Sequence, residues 1–432
     1  MTDVQSSSRQ TIAVVGGGVS GLTAAYLLQR RYDVTLFEAD DRLGGHAHTH
    51  DVTTGDGRAV AIDSGFIVHN ERTYPNLVRL FGELGVRTQD TEMSMSVSCA
   101  GCGLEYAGAK RLGGLFAQRW NAARPAYLSM LVQVLRFHRQ ANRLLDRGSE
   151  AGDETTLGEF LSAGRYSGYF IDHFALPLVS AVWSADREIS GRYPARYLFE
   201  FLHNHGMLSV TGAPVWRTVV GGSREYVRRV AAHLPTVRIS TPARSARRTA
   251  SGIDIVDDAD GLHSFDRVVL ACHADQALGL LAEATPIEHK ILGAFRYSEN
   301  EAWLHVDPAA LPSAPGARAS WNYRKPACAG DPGQVLVTYD MNRLMRLAET
   351  EDYLVTLNST GLVDPDRVLA TMHYRHPIYT PDSVSAQRRL GELGDQRIQF
   401  AGAYHGWGFH EDGCAAGVRA ATAFGAGWVS GT

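Results

Sequence analysis

Residues 11–50 constrain the fold of this chain more than any other stretch, and they read TIAVVGGGVSGLTAAYLLQRRYDVTLFEADDRLGGHAHTH. The β-branched run at 12–15 is long enough for a buried strand and too short for a helix. It breaks into Gly16, Gly17, Gly18, Val19, Ser20 and Gly21, with Gly16, Gly18 and Gly21 in the three fixed places of a G-x-G-x-x-G turn. The first glycine of such a turn allows the tight bend, the second lets a pyrophosphate reach the backbone, and the third lets helix and strand pack closely. The pattern predicts a helix over 22–30, whose N-terminus faces the phosphates, and a second strand over 34–37. Glu38 closes that strand 20 residues beyond Gly18, the spacing at which a carboxylate reaches the ribose hydroxyls of an adenosine. Strand, turn, helix, strand and acid fall in order, so the stretch reads as a βαβ unit that holds a dinucleotide. Its contacts are expected at Gly16, Gly18, Val19, Ser20, Gly21, Glu38 and Ala39.

At 432 residues and 44% hydrophobic, the chain has material for two domains that share an interface. A formal net charge of −4 gives no global field to hold nucleic acid. The first ten residues are polar, and no stretch approaches the ~20 apolar residues of a membrane span. A cytoplasmic protein, in contact with the inner face of a membrane at most, is therefore expected. Five cysteines, odd in number and scattered, make no disulfide framework. Cys99 and Cys102 have C-x-x-C spacing in a glycine-rich context, read as a hairpin turn because no second ligand pair is visible. His46, His48 and His50 alternate and would share a face of an extended segment, yet no nearby group completes a ligand set. No metal is expected.

A strand over 60–68, interrupted by Gly65, points to close approach of another group at Ser64, Gly65 and Phe66. Residues 76–214 read as mainly helical. Within them Lys110, Arg111, Arg119, Arg124, Arg136, Arg139, Arg143 and Arg147 interleave with apolar positions, opposed only by Asp146. That makes a basic amphipathic helix around 119–147, either packed on the core or attached to an anionic membrane surface. The stretch 219–227 is a strand, a glycine turn and a helix start with no third glycine, and strands at 237–243 and 266–273 return to the nucleotide domain near Ala243. Segments 301–307, 321–323 and 333–339 suggest a second, mostly antiparallel sheet. A buried strand at 397–404 leads through an aromatic loop into a small-residue helix over 413–423, whose N-terminus could stabilise negative charge on a bound ring.

The doublet in DRLGGH at 41–46 resembles the second cofactor contact of the flavin amine oxidase and phytoene desaturase group, which adds Arg42, Gly44, Gly45 and His46 and favours FAD. Over essentially the whole chain the order of motifs resembles the flavin-containing amine oxidase superfamily. It is nearest to the branch often encoded beside cyclopropane-fatty-acid-synthase-like methyltransferases. DSGFIVHN at 63–70, LEY at 104–106, LHVD at 304–307, WNY at 321–323, His376-Pro377, GAY at 402–404 and GFHEDG at 408–413 carry it. The resemblance implies an α/β fold: a Rossmann-like FAD-binding domain of the glutathione reductase type with an inserted α+β substrate domain. The divisions expected are 1–75, 215–285 and 390–432 for the FAD domain, and 76–214 (mainly helical) and 286–389 (mainly sheet) for the substrate domain. It also brings Gly402, Ala403, Phe409 and Asp412 to the flavin. Where the superfamily commonly has an acid after its A-G motif, this chain has Ala403, with Glu411, Asp412 or a backbone group as substitutes. The substrate strand at 298–305 lacks the lysine that amine oxidases tend to carry.

The resemblance further implies a lipid substrate, a fatty acyl chain, methylated, cyclopropane or unsaturated and still on phospholipid, from which hydride transfer would give desaturation or double-bond isomerisation. Desaturation requires a base, for which His410, then Tyr404 and Tyr323, are the candidates. Tyr404 and Trp407 could instead shape an apolar slot. An amine or other small-molecule oxidase, with Tyr404 and Phe409 as its aromatic pair, is one alternative. A non-catalytic flavoprotein partner of a lipid methyltransferase is the other.

Overall fold

The computed structural model describes residues 9–108, 111–147, 155–183, 187–209, 212–328, 335–359 and 361–429. Strand Thr11–Val15 lies at the centre of a five-stranded parallel sheet, ordered Thr236–Arg238, Asp33–Phe37, Thr11–Val15, Arg267–Leu270, Ile398–Phe400. Val15 pairs with Phe37 on one side and Leu270 on the other, so the chain order reverses at this strand. In open parallel sheets a ligand crevice forms at such a switch point, beyond the carboxyl ends of the strands. Ile12, Ala13 and Val14 are fully buried, as a strand covered on both faces requires.

Helix Val19–Leu28 is buried at every position, lying between this sheet and the C-terminal helix His410–Ala423. The two helices touch closely because Gly417 has no side chain: a Cβ there would meet the Ser20 carbonyl oxygen. Burying Leu22, Leu27 and Leu28 in this layer contributes about 2 kcal/mol each, and Gly417→Val would prise it apart. The other face of the sheet is covered by an antiparallel sheet of Ala243–Arg248, Ile253–Asp257 and Leu262–Phe265.

The second large sheet has seven strands, ordered Val368–Ile378, Arg296–His305, Leu354–Leu357, Leu336–Asp340, Trp321–Lys325, Met95–Cys99, Leu104–Ala107. All its pairings are antiparallel except that of Trp321–Lys325 with Met95–Cys99. Two of its strands come from the segment expected to be mainly helical, because the alternating apolar residues of MSVSC suit a half-buried strand. The rest of that segment builds a helical layer on the sheet, including Pro125–Asp146, Leu157–Ala163, Leu176–Trp183 and Ala195–Asn204, around a core of Phe137, Phe170, Phe199 and Phe201.

Two helices begin three residues earlier than the sequence suggests. The first starts at Val19, and the last starts at His410 because the Asp412 carboxylate accepts from the Phe409 N–H at 2.9 Å and caps it there. The basic helix Pro125–Asp146 buries Tyr127, Met130, Phe137 and Ala141 but leaves Leu128, Val132 and Leu135 exposed. The polar tail 1–8, Lys110 and the start of the strand expected at 333 lie outside the described residues. Among the described residues no helix is long and apolar enough to cross a membrane.

Candidate flavin cleft

A cavity of about 780 Å³ opens at the carboxyl end of strand Thr11–Val15 and runs to the seven-stranded sheet. Gly16, Gly18, Val19 and Ser20 line its inner end. Gly16 has φ +109, and a Cβ there would sit 2.5 Å from the Ala271 carbonyl oxygen, so only glycine makes this turn. Gly21 does not line the cavity: its missing Cβ is what lets the helix pack on the Gly16 carbonyl. The Glu38 carboxylate accepts from the Gly17 N–H at 2.6 Å and the Asp40 N–H at 2.9 Å. Burial nevertheless raises its affinity for a proton above that of an ordinary glutamate. Ala39 and Ala243 flank it at the adenosine end.

The second glycine turn lies against the first, the Gly44 N–H donating to the Gly17 carbonyl at 2.8 Å. Arg42 fixes that turn through the Gly45 carbonyl at 2.8 Å and adds a cation to the same wall as Gly44 and Gly45. Ser64, Gly65 and Phe66 form the next stretch of wall, where a Cβ on Gly65 would collide with the His46 carbonyl. Gly402, Ala403, Tyr404, Phe409 and His410 close the far side. The first turn of helix His410–Ala423 therefore stands at the cavity, and its free N–H groups favour negative charge there.

Several residues do something other than the sequence suggests. Tyr323 is not in the cavity wall; it is buried in the core beneath the helical layer, and Trp321, two residues earlier on the same face, lines the cavity instead. Asp412 also lies outside the wall, occupied in capping its own helix, and burial pushes it up to about 7. Glu411 caps helix Pro75–Leu84, accepting from the Leu77 N–H at 3.0 Å and from Asn76. Both carboxylates named as substitutes for the acid missing at Ala403 are thus committed elsewhere, which leaves the backbone of Gly402 and Ala403 at the wall.

His410 does line the cavity, but its Nε2 is 2.7 Å from the Tyr226 hydroxyl, and burial lowers its pKa to about 3. That environment holds it neutral and makes it weakly basic for a proton acceptor. Tyr404 has a buried hydroxyl without a partner, held protonated by burial, and its ring packs on Phe295. Phe409, on the same side of the cavity, stacks on Phe201 at 4.8 Å.

Sequence reasoning missed His273, Tyr297 and His376 in the wall, and also Trp183, Phe201 and Trp216. His376 was quoted as part of a motif without a role; the others carry no local signal. His376 accepts from the Asn300 amide at 3.1 Å and, like His273, is lowered by burial to about 4. His46 stacks on Tyr374 at 4.9 Å, while His48 and His50, their rings 4.1 Å apart, hydrogen-bond Tyr374 and Ser64; among the described residues the three form no group placed to hold a metal.

The cleft fits FAD on its own features. It is long enough to join two sheets, is walled by side-chain-free backbone at both glycine turns, and holds buried nitrogens at His46 Nε2 and His273 Nδ1 whose partners a ligand would supply. The model of the flavin containing amine oxidoreductase family matches residues 19–308. The carotenoid phi-ring synthase of Streptomyces griseus is 31% identical over 292 residues, which is 64% of this chain and 54% of the synthase. The coproporphyrinogen III oxidase of Mycobacterium leprae is 25% identical over 296 residues, 64% of this chain and 62% of that enzyme. The chain thus matches only about half to three-fifths of the length of these relatives. Among solved structures, cyclohexylamine oxidase from Brevibacterium oxydans superposes with a TM-score of 0.68 at 15% identity, covering 96% of this chain and 98% of the other. The CLA-producing fatty acid isomerase from P. acnes superposes with a TM-score of 0.63 at 14% identity, covering 94% and 97%. The likeness to these two is one of fold. A dinucleotide turn, a second glycine turn locked against it and a family match over residues 19–308 say the same thing: this chain belongs to the flavin-containing amine oxidoreductase family.

Proposed function

We propose that the substrate is an apolar chain derived from lipid, oxidised or isomerised in the part of the cleft remote from the dinucleotide turn. The observation that carries this reading is the character of that wall. Val182, Trp183, Phe201, Met207, Trp216 and Leu357 contribute to it, and among the described residues the only carboxylates in the lining, Glu38 and Asp40, stand at the adenosine end. An ammonium substrate would find no anion beside the reacting position, whereas a hydrocarbon needs none. Among the described residues no lysine lines the cavity either, which further separates it from the amine oxidase pattern.

Bound in the cleft, FAD supplies the hydride acceptor. Gly16, Gly18 and the first turn of helix Val19–Leu28 would hold its pyrophosphate, Glu38 its ribose, and the start of helix His410–Ala423 the electron-rich end of its ring. The aromatic wall excludes water and orients the chain by shape. The imidazoles of His273 and His376 stay neutral at physiological pH and so add no charge that a hydrocarbon would have to meet.

The similarity to a carotenoid phi-ring synthase is in keeping with an oily substrate. Access from a membrane surface fits the exposed Leu128, Val132 and Leu135 on the basic helix. The test is anaerobic mixing of the FAD-loaded protein with phospholipids bearing cyclopropane, methyl-branched or unsaturated chains, and separately with amines. Flavin absorbance and the acyl composition are both followed. Bleaching or an altered acyl chain with a lipid is expected; bleaching by amines alone, or no change with any of the lipids, overturns the reading.

A further inference from the structure

Away from the cleft, four side chains with soft or imidazole ligand atoms meet at one point. The ligand atoms of Cys99, Cys102, His173 and Cys328 all lie within 4.8 Å of one another. The sequence reading took Cys99 and Cys102 for a hairpin turn with no second ligand pair. They do flank the turn between Met95–Cys99 and Leu104–Ala107, but the fold supplies the missing pair from 71 and 229 residues away. Cys328 arrives because Trp321–Lys325 runs parallel to Met95–Cys99, with Lys325 beside Cys99, so both chains leave the sheet at the same end. His173 arrives on a one-turn π-helix, Ile171–Ala175, a local widening that often marks a functional position.

Two of the six spacings match the edges of a tetrahedron, and the rest lie within 4.8 Å. With metal–sulfur bonds of about 2.3 Å and a metal–nitrogen bond of about 2.0 Å, sulfur–sulfur edges are about 3.8 Å and sulfur–nitrogen edges about 3.5 Å. Cys99 Sγ and Cys328 Sγ are 3.7 Å apart, and Cys102 Sγ and His173 Nε2 are 3.6 Å apart. The first distance is far beyond a disulfide bond, and all five cysteines are free. The histidine is set up as a ligand: its Nδ1 donates to the Tyr169 carbonyl at 3.1 Å, which leaves the Nε2 lone pair facing the sulfurs. Arg124, which holds the Cys102 carbonyl at 2.9 Å, and the buried Lys325 stand close enough to offset the net negative charge of a dication with three thiolates.

We propose that Cys99, Cys102, His173 and Cys328 form a structural zinc site. Three thiolates and one imidazole fill a tetrahedron, leaving no open position for catalysis. None of the four lines the flavin cavity, so the ion acts as a clip. It ties the 99–102 turn and the 328 loop to the helical layer immediately before helix Leu176–Trp183. That helix delivers Val182 and Trp183 to the cavity wall, where the Trp183 indole N–H donates to the Trp407 carbonyl at 3.1 Å. The clip thus fixes the depth of the helical roof over the substrate end.

The test is elemental analysis of the flavin-loaded protein purified under reducing conditions from zinc-supplemented cells, with Cys102→Ser and Cys328→Ser variants beside it. About one zinc per chain is expected in the wild type and less than about a tenth as much in either variant. In a second measurement, which needs no variant, metal-stripped wild-type protein takes up Co²⁺ and develops thiolate-to-cobalt charge-transfer and tetrahedral ligand-field bands. Wild-type protein that holds no zinc and gives no such bands, iron with sulfide in place of zinc, or a Cys99–Cys328 disulfide in freshly isolated protein would each overturn the proposal.

Discussion

His410 lies flat against Phe66, the ring centroids 3.8 Å apart and the planes within 8°, while its Nε2 reaches the Tyr226 hydroxyl at 2.7 Å. An imidazole held this way and lowered to about 3 has neither the freedom nor the basicity of a proton acceptor at neutral pH. His410→Gln, which keeps a polar atom for Tyr226, is therefore expected to slow substrate-dependent flavin reduction by less than about tenfold, where loss of a general base costs about 10²–10⁴-fold. Stopped-flow reduction of wild type and variant decides it. A loss in the larger range would restore His410 as the base.

Gly18 offers a direct test of where the pyrophosphate lies. Its φ of −73 suits any residue, and nothing stands within 4 Å of the position a Cβ would take. Gly18→Ala should leave the apoprotein at least as stable, within about 1 kcal/mol, yet weaken FAD binding by about tenfold to a hundredfold, the cost of a methyl group forced into a filled space. Gly16→Ala is the contrast, because its φ of +109 and the nearby Ala271 carbonyl harm the fold itself. Melting of the two apoproteins and fluorescence titration with FAD separate the effects. Unaltered FAD affinity in Gly18→Ala would displace the cofactor from this turn.

Sequence legibility followed the range of the interactions. The dinucleotide turn was readable because strand, turn and helix are contiguous, and Gly21 and Glu38 act on Gly16 and Gly17, fewer than 25 residues away. The wall formed by Trp183, Phe201, Trp216 and His376 was not readable, since each residue is ordinary in its own segment and only the tertiary fold brings them together. Tyr323 was misplaced for the converse reason: motif membership names a strand but not how far along it the cavity extends. Asp412 was assigned to the cofactor because sequence shows an acid near the right loop and hides the Phe409 N–H that already occupies it. Cys328 and His173 illustrate the same limit most clearly, being invisible to a search for spacing around Cys102.

Acidification should destabilise the fold well before ordinary carboxylates titrate. Burial lowers His205, His273 and His376 to about 4 and His405 and His410 to about 3, and drives His46 in the same direction. Their pKa values in the folded chain lie below the unfolded value of 6.5, so the unfolded chain binds more protons throughout that window. Their stabilising contribution is complete above about pH 6.5 and is lost as pH falls towards 4, at up to about 1.4 kcal/mol per pH unit for each. Asp63 and Asp412, raised by burial to about 6 and about 7, act in the opposite sense, losing stability as pH rises through those values. Glu38, Asp340 and Glu411 are raised as well, but His48, His69 and His305 are lowered like the six, so the histidines outnumber the carboxyls. A fall in Tm of about 10 °C or more between pH 7 and pH 5 is expected. Thermal melts at constant ionic strength check it, and a flat or rising Tm would show that these imidazoles are not buried as described.

The basic helix Pro125–Asp146 carries the last prediction. Leu128, Val132 and Leu135, spaced four and three residues apart, stand 41%, 68% and 47% exposed on its outer face, and Trp120 just before it is 49% exposed. Arg139 and Arg143 continue the same face towards the helix end. An outward apolar stripe followed by exposed guanidiniums suits insertion at an anionic lipid surface, because the apolar residues gain by leaving water and each cation adds about 1 kcal/mol near negative headgroups. Val132→Asp touches no core residue, so it should leave flavin content and Tm unchanged while reducing binding to vesicles containing anionic phospholipid by about tenfold or more. Arg139→Glu with Arg143→Glu should do the same and should weaken the salt dependence of binding. Vesicle co-sedimentation at low and at physiological salt, with zwitterionic vesicles as the reference, reads both. Equal binding to the two vesicle types, or none, would leave this helix face a solvated surface and send the substrate to the cleft through water.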